Sequence, residues 1–277
     1  MRDNNIDAYL IQETHLPGDF EKILLLDYYL IHHGPEHQPA SGAKGGVAII
    51  LSPDLAVQWK TSGTAKKIIR GGPSIGNTTR ALSISMKFEV APPINPPNKP
   101  KSKVAKKRFH NLCLTTLYFP HSGYKEKELD EFTNDMSTYI SNILSQKNTT
   151  HIIGADTNSS IGTCASLPEA NLSDKQESHL DIDPAFSLLG PFGNPHRSKS
   201  GENLLNIMRE HQLRAAATFF DNNNKYNTWL APPHPSTGKR HAYQLDHIFI
   251  PKYQLCHTKN IKRRFNGATS ESRSPLY

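Results

Sequence analysis

Cysteine is scarce in this chain. Its 277 residues include three, Cys113, Cys164 and Cys256, far apart and with no C-x-x-C pair. That excludes a disulfide frame and a thiolate zinc site, and fits reduced thiols in a nuclear or cytoplasmic protein. Long apolar runs are missing as well. VAIIL at 47–51 is typical of those present and falls far short of a membrane span, so no membrane partner is expected. The opening MRDNNID carries acids and no apolar stretch, so it does not read as a secretory signal. The Asn-x-Ser/Thr triplets at Asn77, Asn148, Asn158 and Asn171 then have no bearing, because they matter only in a secreted protein. No P-loop, nucleophile elbow, HExxH helix, internal repeat or linker occurs. The expectation is one domain over 1–277.

What the chain does have is positive charge. The formal balance is +7, with 14 histidines besides. Such a balance suits a polyanion, nucleic acid above all, or is merely a soluble surface; it says nothing about fold. The charge is uneven. APPINPPNKPKSKVAKKR at 91–108 is rich in proline and then in cations, and no acid occurs between Glu89 and Glu126. Proline blocks both ladder pairing and helix growth, so this stretch reads as an exposed insertion. Lys106, Lys107 and Arg108 are its candidate phosphate contacts, with a solvated hairpin as the other reading. Lys259, Lys262, Arg263 and Arg264 form a second basic group with the same two readings.

Strand-like runs dominate the pattern. IDAYLIQ at 6–12, GVAIILS at 46–52, LAVQW at 55–59, KKIIR at 66–70 and ALSISMKFEV at 81–90 read as strands, the last with one wet face. FHNLCLTTLYFP at 109–120 and HIIGAD at 151–156 follow, then RAAATFF at 214–220, YNTWL at 226–230 and QLDHIFI at 244–250. Helices are predicted over 124–146 and 202–213. In the first, Leu129, Phe132, Met136, Ile140, Ile143 and Leu144 recur at helical spacing. In the second, Leu204, Leu205, Met208 and Leu213 point inward. Residues 161–200 read as an irregular insertion. The whole is a layered α/β pattern.

Three carboxylates stand at strand tips: Glu13, Asp156 and Asp246. An acid at the end of a buried strand needs a partner, because an unpaired charge there is costly. A hard divalent cation is one such partner. Capping a neighbouring turn is the other reading for each acid taken singly. His32, His33 and His37 with Glu36 form a local cluster whose spacing suits a polar loop better than a zinc site. Phe219 and Phe220 read as core.

IDAYLIQETHL, GGVAIIL, LTTLYFPHSG, HIIGADTNSSIG, GENLLNIMREHQLRAAATFF, YNTWL and YQLDHIFI occur in one order along the chain. In that order they resemble the endonuclease/exonuclease/phosphatase superfamily, and within it the endonuclease domains of LINE-type (non-LTR) retrotransposons. The resemblance implies a DNase I-like four-layered α/β sandwich of two packed mixed β-sheets, incomplete at both ends. It implies hydrolysis of DNA phosphodiesters with Mg²⁺ or Mn²⁺, and a reverse transcriptase domain as partner in a longer parent protein. Residue by residue, Glu13 matches the metal-ligating Glu and Tyr118 the Tyr at the scissile phosphate. Asp156 matches the acid that orients or deprotonates the attacking water. Asn158 matches the Asn that holds a phosphate oxygen, on the same side as Asp156 if the backbone stays extended. Asp246 matches the acid that orients the catalytic His, and Thr228 and Trp229 match a substrate-lining position.

The match departs from the family pattern at its C-terminal Ser-Asp-His. In GATSESRSPLY at 267–277, Ser270 fits the Ser, Glu271 replaces the Asp and is a candidate metal ligand, and Ser272 stands in place of the His. His247 is no obvious substitute, since it neighbours Asp246 on a strand and points to the opposite face. Two alternatives stand beside an active DNA nuclease. One is a catalytically dead remnant that binds nucleic acid. The other is a phosphatase or lipid phosphodiesterase of the same superfamily.

Overall fold

The computed structural model describes residues 6–36, 45–71, 79–90, 108–121, 123–164, 188–221 and 226–258. Two sheets are stacked face to face. The four-stranded sheet has the order β1 (Ala8–Gln12), β4 (Val47–Leu51), β3 (Tyr29–His33), β2 (Phe20–Ile23). The six-stranded sheet has the order β5 (Lys67–Arg70), β6 (Ala81–Val90), β7 (Arg108–Tyr118), β8 (Thr149–Asp156), β12 (Asp246–Pro251), β9 (Leu213–Ala215). A separate ribbon pairs β10 (Trp229–Leu230) with β11 (Ala242–Tyr243). Among the described residues the six-stranded sheet is mixed, through the parallel pair β7 and β8, while the four-stranded sheet is antiparallel, against the expectation of two mixed sheets.

Two cores follow from this stacking. Ile31, Val47, Ile49 and Leu51 of the smaller sheet meet Leu82, Ile84, Met86, Leu114 and Tyr118 of the larger one. On the other side of the larger sheet, Cys113, Leu117, Ile153 and Ala155 pack under helix α2 (Glu126–Leu144) and helix α3 (Lys199–Glu210). Burial of this apolar area is the main stabilising term, at roughly 25 cal/mol per Å². The helix over 124–146 is as expected, with Phe132, Met136, Ile140 and Ile143 buried along one face. Cys113 and Cys164 are buried and free.

Several expectations are corrected. LAVQW is helical, inside α1 (Pro53–Thr61), which sends Ala56 and Trp59 into the inter-sheet core. Its start signals are plain: Ser52 Oγ accepts from the Leu55 N–H at 3.4 Å and Pro53 occupies the first turn. Residues 81–86 have no wet face, because the sheet is covered on both sides. The small polar residues of β6 face α2 instead. Tyr139 donates its hydroxyl to Ile69 O at 3.0 Å and accepts from Ser83 at 2.8 Å, while Ser85 donates to Gln146 Oε1 at 2.7 Å. The strand expected over 214–220 ends at Ala215 and continues as a 3-10 turn, Ala216–Phe219. That over 226–230 shrinks to Trp229–Leu230. Leu213 opens β9 rather than closing α3. Phe219 and Phe220 are half-buried. His32 and His33 lie on β3, not in a loop, while His37 lies outside the described residues.

Candidate active site

Register brings the strand-tip residues together. Tyr118 pairs with Asp156 across the parallel β7/β8 ladder, and Asp246 pairs with Asp156 across the antiparallel β8/β12 ladder. The three therefore occupy one rung of three adjacent strands, on one face. Glu13 arrives from the other sheet, immediately after β1. The Tyr118 hydroxyl donates to Glu13 Oε1 and closes the gap between the sheets.

The local sequence explains why β1 comes so close. A Cβ at Gly154 would lie 2.7 Å from Leu10 Cδ1 and 3.0 Å from Leu10 Cβ, so only glycine at this position of β8 leaves room for β1. Gln12 Nε2 then donates to Thr116 Oγ1 at 2.8 Å, and Thr116 Oγ1 donates to Ile11 O at 3.2 Å. These cross-sheet bonds fix the end of β1 over β7 and β8. Glu13 itself turns sharply, with φ of 53°.

The acids press on one another. Burial first, then the charges of Asp246 and Glu13, push the Asp156 carboxyl up to about 6, against the pull of the Asn158 N–H and Arg80. Burial and the hydrogen bond to Glu13 push the Tyr118 phenol well above its ordinary range, so it remains a protonated donor. The sequence reading did not single out Arg80. It is 2% exposed, and its guanidinium lies 4.6 Å from the Tyr118 ring, 5.6 Å from Tyr124 and 5.8 Å from Phe132. Its Nη2 donates to the Tyr124 hydroxyl at 3.0 Å. A caged cation therefore sits beneath the acid cluster. The signal was a lone arginine directly before the apolar strand β6.

The other candidates fall in different places. The chain does not stay extended at Asn158, where φ is 46°. Its backbone N–H, not its side chain, reaches Asp156 Oδ1 at 3.0 Å, and its Nδ2 donates to Phe119 O at 2.8 Å. Thr228 Oγ1 accepts from the N–H groups of Leu245 and Asp246, at 2.9 and 3.0 Å, so its hydroxyl anchors the start of Asp246's strand. Trp229 is exposed and tilts against Tyr243, with centroids 5.7 Å apart. Arg108 opens β7 at the end remote from Tyr118, roughly 33 Å away at the strand's rise, so it does not join the acid cluster. Lys106, Lys107, Ser270, Glu271 and Ser272 lie outside the described residues, as do Lys259, Lys262, Arg263 and Arg264. His247 is buried on the face opposite Asp246, stacks on Phe249, and is pushed down to about 4 by burial, so it stays neutral. His121 is an exposed imidazole three residues past Tyr118; its Nδ1 accepts from the Gly123 N–H at 3.0 Å.

Among the described residues, no three His, Cys, Asp or Glu side chains converge closely enough to hold a metal ion by themselves. Mg²⁺ does not require three. It keeps several waters and binds through one or two carboxylates. Glu13 and Asp156 offer hard oxygen donors, and the upward push on Asp156 is the strain that a cation relieves. In donor chemistry the site fits a divalent ion.

No protein-family model matches the chain, and no curated protein matches it. Solved structures do. The 3'-5' exonuclease NExo from Neisseria meningitidis is 14% identical with a TM-score of 0.52, over 92% of this chain and 80% of that one. A second structure, described as the 3' phosphatase NExo from Neisseria bound to a product DNA hairpin, is 13% identical with the same coverage and TM-score. The endonuclease domain of a telomere-specific non-LTR retrotransposon is 13% identical over 92% of this chain and 77% of that one, at a lower TM-score of 0.44. At such identities the likeness is one of fold.

Proposed function

We propose that this chain, which has the DNase I-like fold of endonuclease/exonuclease/phosphatase proteins, hydrolyses phosphodiester bonds of DNA with the help of a divalent cation, as a retroelement-type endonuclease domain does. The observation that carries this reading is the single rung holding Tyr118, Asp156 and Asp246, with Glu13 joined to it from the other sheet. Glu13 and Asp156 would hold the ion, which when bound supplies Lewis-acid stabilisation of charge on the phosphoryl oxygens. In the metal-free chain the Asp156 carboxyl, pushed up to about 6, is mostly ionised at neutral pH, and it is the candidate group to orient the attacking water or take its proton. Proton transfer of this kind contributes roughly 10²–10⁴-fold. The Asn158 N–H fixes one of the two Asp156 oxygens, Oδ1. The protonated Tyr118 phenol donates its one proton to Glu13 and so holds that carboxylate at the rung. Thr228 sets the height of Asp246. The exposed Trp229 ring and the half-buried Tyr243 ring offer an apolar surface on which a sugar or base can pack.

One observation favours a second reading, a remnant that binds nucleic acid without cutting it. His247 is neutral and faces away, so it does not provide the imidazole that the family pattern places beside Asp246. Nicking of supercoiled plasmid separates the readings. The first predicts Mg²⁺-dependent conversion to open circles that disappears in Asp156→Ala. Salt-sensitive DNA binding with no conversion supports the remnant. Release of phosphate from a 3'-phosphorylated hairpin, with plasmid left intact, identifies a phosphatase.

A further inference from the structure

The histidine pair on β3 is not used by the chemistry above, yet both rings grip the segment that follows Glu13. His32 is fully buried and stacks on Phe20 with centroids 4.5 Å apart. Its Nδ1 lies 2.8 Å from Gly18 O and its Nε2 lies 2.7 Å from Thr14 Oγ1. A carbonyl oxygen only accepts, so Nδ1 carries the proton and the Thr14 hydroxyl donates to Nε2. His33 Nδ1 donates to Asp19 Oδ1 at 2.6 Å, and His33 Nε2 accepts from the Gly71 N–H at 3.1 Å. Consecutive residues of one strand thus anchor Thr14, Gly18 and Asp19 from opposite faces.

The segment is packed down on the His32 ring. A Cβ at Gly46 would lie 2.3 Å from Thr14 Oγ1, and one at Gly34 would lie 2.6 Å from His32 Cε1 and 2.3 Å from Leu16 O. Thr14 and His15 donate their N–H groups to Gly46 O and Gly45 O at 3.1 and 3.0 Å. Between β1 and this clamped segment sits Glu13, in a left-handed conformation that a side-chain-bearing residue leaves when it is free to do so. We infer that His32, acting through the Thr14 hydroxyl, is a positioning residue that holds Glu13 in its left-handed turn and so fixes the carboxylate for a divalent cation. This rests on the reading of Glu13 as a metal-holding residue. His32 touches neither ion nor substrate.

The test uses the full chain, Mn²⁺ as the probe and paramagnetic resonance of the free ion as the readout. Thr14→Val removes the hydroxyl at constant shape and is expected to weaken Mn²⁺ binding about tenfold, the usual scale for losing an outer-shell partner. Thr14→Ser keeps the hydroxyl and restores binding to near the wild-type value. Adding His32→Asn to Thr14→Val causes no further loss, because the link is already broken. Independently, ¹⁵N spectra of the wild-type imidazoles place the His32 proton on Nδ1. An Nε2-protonated His32, or equal Mn²⁺ binding by wild type and Thr14→Val, overturns the inference while leaving the function reading intact. A wild-type chain that binds no Mn²⁺ overturns both.

Discussion

Asp156→Asn is expected to abolish cleavage and, in the absence of divalent ions, to stabilise the fold. The two effects have one cause. An acid whose carboxyl is raised from 3.8 to about 6 on folding opposes folding when it is ionised. That penalty is absent below the unfolded value, grows as pH rises between the two, and is complete above about 6. Asparagine keeps the oxygen that accepts from the Asn158 N–H and drops the charge. The gain is about 2 kcal/mol near pH 7.5, after discounting for the part of the carboxyl that water reaches, and it fades toward about pH 4. Denaturant melts of both proteins in chelator, at the two pH values, read it directly. Equal stability at both would mean that neither burial nor the charges of Asp246 and Glu13 press on Asp156.

Arg80→Met carries the second large effect, with the opposite sign for stability. The guanidinium is held by three rings and the Tyr124 hydroxyl, and its positive charge offsets the acids above it. Methionine fills much of the stem volume but leaves the carboxylates without their fixed counter-charge. Removing one partner from a buried charge cluster costs about 3 kcal/mol. Because Arg80 pulls the Asp156 carboxyl down, its loss sends that carboxyl above about 6. A ¹³C titration of the Asp156 carboxyl in metal-free protein shows this shift, and a thermal melt shows the lost stability. An unchanged titration would place Arg80 in packing alone.

Much of the site was legible because the tips of apolar runs are where it lies. IDAYLIQ ends at Glu13 and HIIGAD at Asp156, and in the fold those ends face each other. Asp246 was visible as an acid beside an apolar run, though it opens β12 rather than standing two residues within a strand. LAVQW shows where propensity misleads: its branched and aromatic residues suggest a strand, yet the Ser52-Pro53 start fixes a helix. The alternation of β6 was real but marked two cores, one lined with bonded hydroxyls, rather than a core and solvent. Arg80 stayed hidden, and His32 was visible only as part of a local histidine cluster, because their meaning lies in partners remote along the chain, Tyr118 and Tyr124 for one, Thr14 and Gly18 for the other. Gly154 was hidden for the same reason, since only the approach of Leu10 makes a missing side chain matter.

The most direct measurement is a calorimetric titration of the full chain with Mn²⁺, repeated on Glu13→Gln and Asp156→Asn. The account predicts one ion per chain in the wild type and at least about tenfold weaker binding in each variant, since each removes one of the two anionic oxygen donors. Wild-type affinity retained in both variants would contradict it: the ion would then be held elsewhere, and the carboxylates brought together from the two sheets would have no cation to share.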